Sequence, residues 1–216
     1  MDRLGKSGYK KGDGWDAWKD AVGKADGSES LVFQGWNNPV QTNAFDYYVW
    51  CASQSVVELD LLTGECVVLS SDIQYDCGKQ LNADVDIGQI EGAFIMGLGY
   101  FLTEKVEFST GGELLSNGTW EYKPPMALDI PVEFNVRLLG GDDVGNNSRQ
   151  NVLRSKATGE PPMVSSSSVW FAVRDAIRSG REEFGKAGAV ELKCPATIDA
   201  RLEALDLGFE DMAAAV

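Results

Sequence analysis

The sequence predicts an α+β protein with mostly antiparallel strands, and three observations carry that class. Two β-branched runs flank a short glycine-bearing turn within residues 56–76. A long apolar run over residues 85–106 has helical rather than alternating spacing. Further strand-like runs then precede two helical stretches, so strands and helices are not interleaved one by one as in a parallel α/β sheet.

The elements follow in chain order. Residues 1–43 read as a polar, glycine-dotted lead-in arm, with DAWKDAVGKA (16–25) as a short helix inside it, and residues 44–216 as the folded part. VVELDL (56–61) alternates, LTGE turns, and CVVLSSDIQYD (66–76) returns, which is a hairpin signal centred on Gly64. In VDIGQIEGAFIMGLGYFLTEKV (85–106), Ile87, Ile90, Ala93, Phe94, Met96, Leu98, Phe101 and Leu102 suit a helix buried on more than one side. Gly88, Gly92, Gly97 and Gly99 cost that helix about 1 kcal/mol each against Ala. Close approach of another backbone or of a ligand is the physical reason to accept such residues.

Residues 106–125 read as strand, turn, strand, and the NGT triplet within them as a turn. IPVEFNVRLL (130–139) is a strand run with Pro131 at its start, and residues 140–151 form a loop by composition. A helix begins near GEPP and runs to about Phe184. TIDARLEAL (197–205) is a last helix with Thr197 as N-cap.

The chain has 216 residues, enough for a sizeable core, and a formal net charge of -14. With no basic stripe, nucleic acid and anionic membranes are poor partners. There is no run of about 18 apolar residues and no signal-like apolar stretch at the start, which makes the cytoplasm the expected location. The absence of histidine removes the commonest general base and every Ser-His or Cys-His pair. Four scattered cysteines, without a CxxC pair, argue against a metal site made by this chain alone.

Acid–base chemistry then falls to other groups, and Glu160 stands out. It lies between Gly159 and the pair Pro161–Pro162. A carboxylate there can serve a helix start, where the dipole favours it and the prolines cost no hydrogen bond. It can also be a base held with little freedom at the edge of a reaction site. Gln89, between Gly88 and Gly92, can be a solvent-facing residue or a carboxamide that reaches a closely approaching ligand.

The blocks VVELDLLTGE, SDIQYDCGKQLNADVDIGQIEGAF, GLGYFLTE, GTWEYKPP, IPVEFNVRLL, SKATGEPP, VWFAVRDAIR and ELKCPAT occur in this order. Over residues 44–205 they resemble the C-terminal part of the second molybdopterin-binding domain in the xanthine dehydrogenase and aldehyde oxidase family. The resemblance implies antiparallel strands packed with a glycine-rich helix and with a helix following GEPP. It implies a molybdenum–molybdopterin cofactor, with Gln89 approaching it and Glu160 as general base. In that chemistry a molybdenum-bound hydroxyl attacks a purine, another N-heterocycle or an aldehyde, and hydride passes to a sulfido ligand. The family's iron–sulfur and FAD domains, its first molybdenum domain and the start of the second are not in this chain. They are therefore the implied partners, together with a two-fold pairing.

Departures from the family pattern are Ala83 for a usual proline, Asn135 for a frequent arginine, and the polar stretch MVSSSS after GEPP. They leave an alternative in view: a non-catalytic relic of the domain used as a structural or interaction subunit.

Overall fold

The computed structural model describes residues 17, 47–140, 152–208, 210 and 211. The chain divides into two units, Met1–Ala44 and Phe45–Val216. The helix expected at 16–25 lies, apart from Ala17, outside the described residues, as does residues 141–151 of the expected loop.

The hairpin forms where its sequence placed it. Strand β1 (Cys51–Leu59) pairs antiparallel with β2 (Cys66–Tyr75). Asp60 builds the turn: its Oδ1 accepts from the backbone N–H groups of Leu62 at 2.8 Å and Thr63 at 2.9 Å. Gly64 takes φ +73, a left-handed conformation that suits glycine. The register shifts between Val56 and Val57, so that Leu69 is an extra residue in β2. This bulge changes the inward phase from Val68 to Ser71, Ile73 and Tyr75, and keeps each of them buried.

Helix α1 (Ala83–Leu98) starts at Asn82, whose side chain accepts from the Asp84 and Val85 amides. It begins slightly before the expected 85 and ends earlier than 106, passing into a π-helical turn at Gly99–Thr103, and Met96, expected among its buried residues, instead lies on its exposed side. Residues 76–132 act as the crossover to β3 (Glu133–Leu138), which lies beside β2 in parallel. The sheet order is β1-β2-β3, so the expected antiparallel pairing holds for β1–β2 and not for β2–β3. The strand pair expected within 106–125 is also absent: one isolated bridge joins Phe108 and Leu114 around a Ser109-centred turn. Phe108, Leu114, Leu115 and Trp120 are exposed there, and a two-stranded hairpin with no buried face is not self-sustaining.

The helix after GEPP is two helices, α2 (Pro161–Ser165) and α3 (Ser167–Glu183). The break at Ser166 is a serine effect. Ser165 Oγ donates to the Pro162 carbonyl at 2.5 Å and Ser166 Oγ to the Met163 carbonyl at 2.6 Å. The same stretch bonds to β1: Ser53 Oγ donates to the Ser165 carbonyl at 2.7 Å, and Ser55 and Ser168 share a hydroxyl contact at 2.8 Å. The MVSSSS departure thus forms a hydrogen-bonded seam between β1 and the α2–α3 pair.

Helix α4 (Ile198–Leu205) follows Thr197, which holds the N-cap position with extended backbone but makes no side-chain cap bond. The core joins Ile73 and Tyr75 of β2, Ile90, Phe94 and Leu98 of α1, Val169, Val173 and Ile177 of α3, and Leu205 of α4. The α3 residues recur every four positions and are fully buried, each contributing roughly 1.5–3 kcal/mol of apolar burial.

Candidate functional site

Glu160 occupies the N-cap position of α2, with Pro161 and Pro162 in its first turn. Its backbone carbonyl accepts from the Met163 amide at 3.1 Å, but its side chain makes no cap bond. The carboxylate is exposed. The helix-start role therefore belongs to the backbone and the prolines, and the carboxyl oxygens are left for other partners.

Gln89 is exposed on α1, and its Oε1 lies 3.2 Å from where a Cβ on Gly159 would stand. Gln89 thus lies beside the residue that directly precedes Glu160, although the two candidates are seventy-one positions apart in sequence. Helix α1 reaches α2 closely because of Gly97: a Cβ there would fall 2.3 Å from the Met163 carbonyl oxygen and 2.0 Å from Ser166 Oγ. Gly99 is similarly tight, against Glu104 and Pro125. Gly88 and Gly92, on either side of Gln89, have nothing within 4 Å. Close approach therefore explains two of the four glycines, by the Met163 backbone and Ser166 at Gly97 and by the Glu104 and Pro125 side chains at Gly99, and the other two line an open face.

The loop leading to Glu160 is fastened to the end of β2. Asp76 is fully buried, and its Oδ2 accepts from Lys156 Nζ at 2.5 Å. Its Oδ1 accepts from the Gly78 amide at 2.9 Å. Tyr75 Oη donates to the Ala157 carbonyl at 2.5 Å. Two backbone bonds, Lys156 N to the Cys77 carbonyl and Lys79 N to the Arg154 carbonyl, are each 2.9 Å. Leu153 and Arg154 enter this junction with φ of 54° and 65°, a left-handed conformation costly for non-glycine residues.

Burial pushes the Tyr75 hydroxyl well above its ordinary range, so it stays a donor. Burial likewise raises the thiols of Cys51, Cys66, Cys77 and Cys194, which are free. Among the described residues no group of three His, Cys, Asp or Glu could hold a metal ion.

Sequence reasoning singled out Glu160 and Gln89 but not Tyr75, Asp76 or Lys156. The blocks QYDCG and SKATGEPP contain them, yet no local spacing signals an ion pair across eighty positions.

A family model described as molybdopterin cofactor-binding domain matches residues 5–131. The chain is 41% identical over 192 residues to probable aldehyde oxidase 2 of Oryza sativa subsp. japonica, covering 86% of this chain and 14% of that protein. It is 46% identical over 138 residues to an indole-3-acetaldehyde oxidase of Zea mays, covering 64% of this chain and 10% of that protein. The fold matches the aldehyde oxidoreductase of Desulfovibrio gigas with a TM-score of 0.57 at 24% identity, over 76% of this chain and 16% of that one. The aldehyde oxidoreductase of Desulfovibrio desulfuricans gives a TM-score of 0.59 at 18% identity, over 94% of this chain and 21% of that one.

The chain belongs to the molybdopterin cofactor-binding domain family, within the xanthine dehydrogenase and aldehyde oxidase group of molybdenum enzymes. It spans only about a seventh of the length of the first of these curated relatives. Gln89 falls inside the matched residues 5–131, and Glu160 lies beyond them.

Proposed function

We propose that this chain is one portion of a molybdenum hydroxylase, with Glu160 as general base and Gln89 in contact with the molybdenum–molybdopterin cofactor. The observation that carries the reading is the meeting of Gln89 with Gly159, directly before Glu160.

The residues present fit such a group. Gly88 and Gly92 offer bare helix backbone where a Cβ would otherwise project, and Gln89 between them supplies both a donor and an acceptor. When bound, the cofactor supplies the transferred oxygen and takes up the electrons. Glu160 takes the proton: its side chain has no cap bond to give up, and Pro161 and Pro162 limit its backbone freedom. Its exposure in this chain means that water must be excluded by other parts of the enzyme.

Those parts are further molybdenum, flavin and iron–sulfur domains or subunits, in a cytoplasmic assembly. The names of the relatives favour an aldehyde over a purine or other N-heterocycle as substrate. No helix among the described residues is long and apolar enough to cross a membrane.

Co-production with a complementing piece that carries the remaining domains tests the reading. The assembled enzyme is expected to contain molybdenum and pterin and to oxidise aldehydes. Glu160→Ala is expected to lower kcat by roughly a hundredfold to ten-thousandfold with the cofactor retained. Gln89→Ala is expected to lower molybdenum and pterin content. Oxidation that survives Glu160→Ala unchanged would overturn the assignment. An assembly without molybdenum or pterin would instead make the chain a structural subunit.

A further inference from the structure

We propose that Asp76 is a positioning residue whose single buried carboxylate sets the separation of Gln89 and Glu160. Its catalytic consequence rests on the function proposed above, but the geometry stands without it.

Asp76 follows the last residue of β2 and is fully buried. Each of its oxygens holds a different branch of the chain. Oδ1 accepts from Gly78 N, on the segment that continues to Asn82 and α1. Oδ2 accepts from Lys156 Nζ, four residues before Glu160. The two branches also touch directly, through the Gly78–Ser155 bridge. Gly78 has φ +65, and a Cβ on it would stand 2.5 Å from the Arg154 carbonyl oxygen, so only glycine allows this approach. Tyr75 adds a tie at Ala157.

A buried ion pair is a poor source of stability, because desolvation offsets much of the attraction and an apolar pair of similar volume often serves as well. What it supplies is a fixed distance. The left-handed backbone at Leu153 and Arg154 agrees with that reading, since such strain persists where surrounding contacts over-determine the chain. For a base and a cofactor contact carried by different helices, a shift of about 1 Å is enough to cost activity.

The test uses the full chain, isotope-labelled, with no molybdenum present. Its readouts are the nuclear Overhauser contact between the Gln89 side-chain amide and Gly159, and hydrogen exchange of individual amides. Asp76→Leu combined with Lys156→Met replaces the ion pair by an apolar pair and leaves no unpaired buried charge. The expected result is loss of the Gln89–Gly159 contact and at least tenfold faster exchange at positions 79 and 156, with exchange at Val169, Val173 and Ile177 unchanged. A purely structural role would accelerate all of these amides together, and that outcome overturns the proposal. So does a retained contact with unchanged local exchange. If the double variant does not fold, Asp76→Asn combined with Lys156→Met is measured, since Asn keeps an oxygen for the Gly78 amide and leaves no buried charge, and the same outcomes decide. Failure here leaves the Glu160→Ala assay standing, and failure of that assay leaves this contact result standing.

Discussion

At the scale of single residues, Tyr75 shows how one group can both hold the site and report on it. Burial raises its hydroxyl above the ordinary value of 10.0. The folded chain therefore keeps a proton that the unfolded chain releases. The sign follows: the contribution is complete below about pH 10 and is lost as pH rises beyond it. The raised thiols add a similar loss, starting above about pH 9. Tyr75→Phe is expected to cost about 1 kcal/mol near neutral pH through the lost bond to Ala157. It is also expected to flatten the alkaline fall, because one buried proton is removed from the linkage. Urea midpoints of both proteins at a series of pH values check both parts. A variant that falls as steeply as the parent would show that Tyr75 does not contribute to the alkaline loss.

A carboxylate beside two prolines and an amide among glycines are unusual local choices, but the functional roles of Glu160 and Gln89 were legible only through the family resemblance of the surrounding blocks. The approach of Gln89 to Gly159 was not readable in the same way. It depends on α1 and α2 packing through Gly97, and on Asp76 joining segments eighty positions apart. Neither leaves a periodic trace in the sequence.

At the scale of elements, the glycines of α1 separate into two kinds, and substitution distinguishes them. Gly97→Ala would drive a methyl group into the Met163 carbonyl and Ser166, and is expected to destabilise the chain by about 1–3 kcal/mol. Gly88→Ala and Gly92→Ala meet nothing within 4 Å and are expected to stabilise the chain alone by about 0.5–1 kcal/mol. Denaturant titration of the three variants measures this ordering. In the assembled enzyme, the same two stabilising changes are expected to lower cofactor content. A gain in one setting and a loss in the other would identify backbone approach by the cofactor as the reason the glycines are kept.

The hairpin was legible because its determinants are local: alternation on both sides, Asp60 and Gly64 in the turn. The end of α3 near Phe184 was legible too. The parallel partnership of β2 and β3 was not, since it is set by a crossover of more than fifty residues. The strand reading at 106–125 failed for a different reason. Its apolar residues suit a sheet, but Phe108, Leu114 and Trp120 stay exposed rather than packing against a core.

At the scale of the whole chain, that uncovered surface is the dominant feature. Trp120, Met126, Leu128 and Val132 are 73% exposed or more, within one continuous stretch of sequence. The net charge of -14 opposes association, whereas an apolar surface of this kind promotes it. Alone, the chain is expected to self-associate and to bind an apolar dye, and to lose both behaviours when a complementing piece is added. Sedimentation velocity with and without that piece provides the measurement. A monomer that binds no dye by itself would mean that the stretch folds back onto the chain in solution.

The hairpin turn has a practical consequence. Strand β2 runs ten residues from Cys66 to Tyr75, a span of about 30 Å at the usual rise per residue. Tyr75 marks the end at which Asp76 bonds Gly78 and Lys156, while Leu62 stands exposed at the opposite turn. A tether or fluorescent reporter attached at Leu62 would therefore anchor the chain to a surface by the end of β2 opposite Asp76, leaving the Asp76 end free.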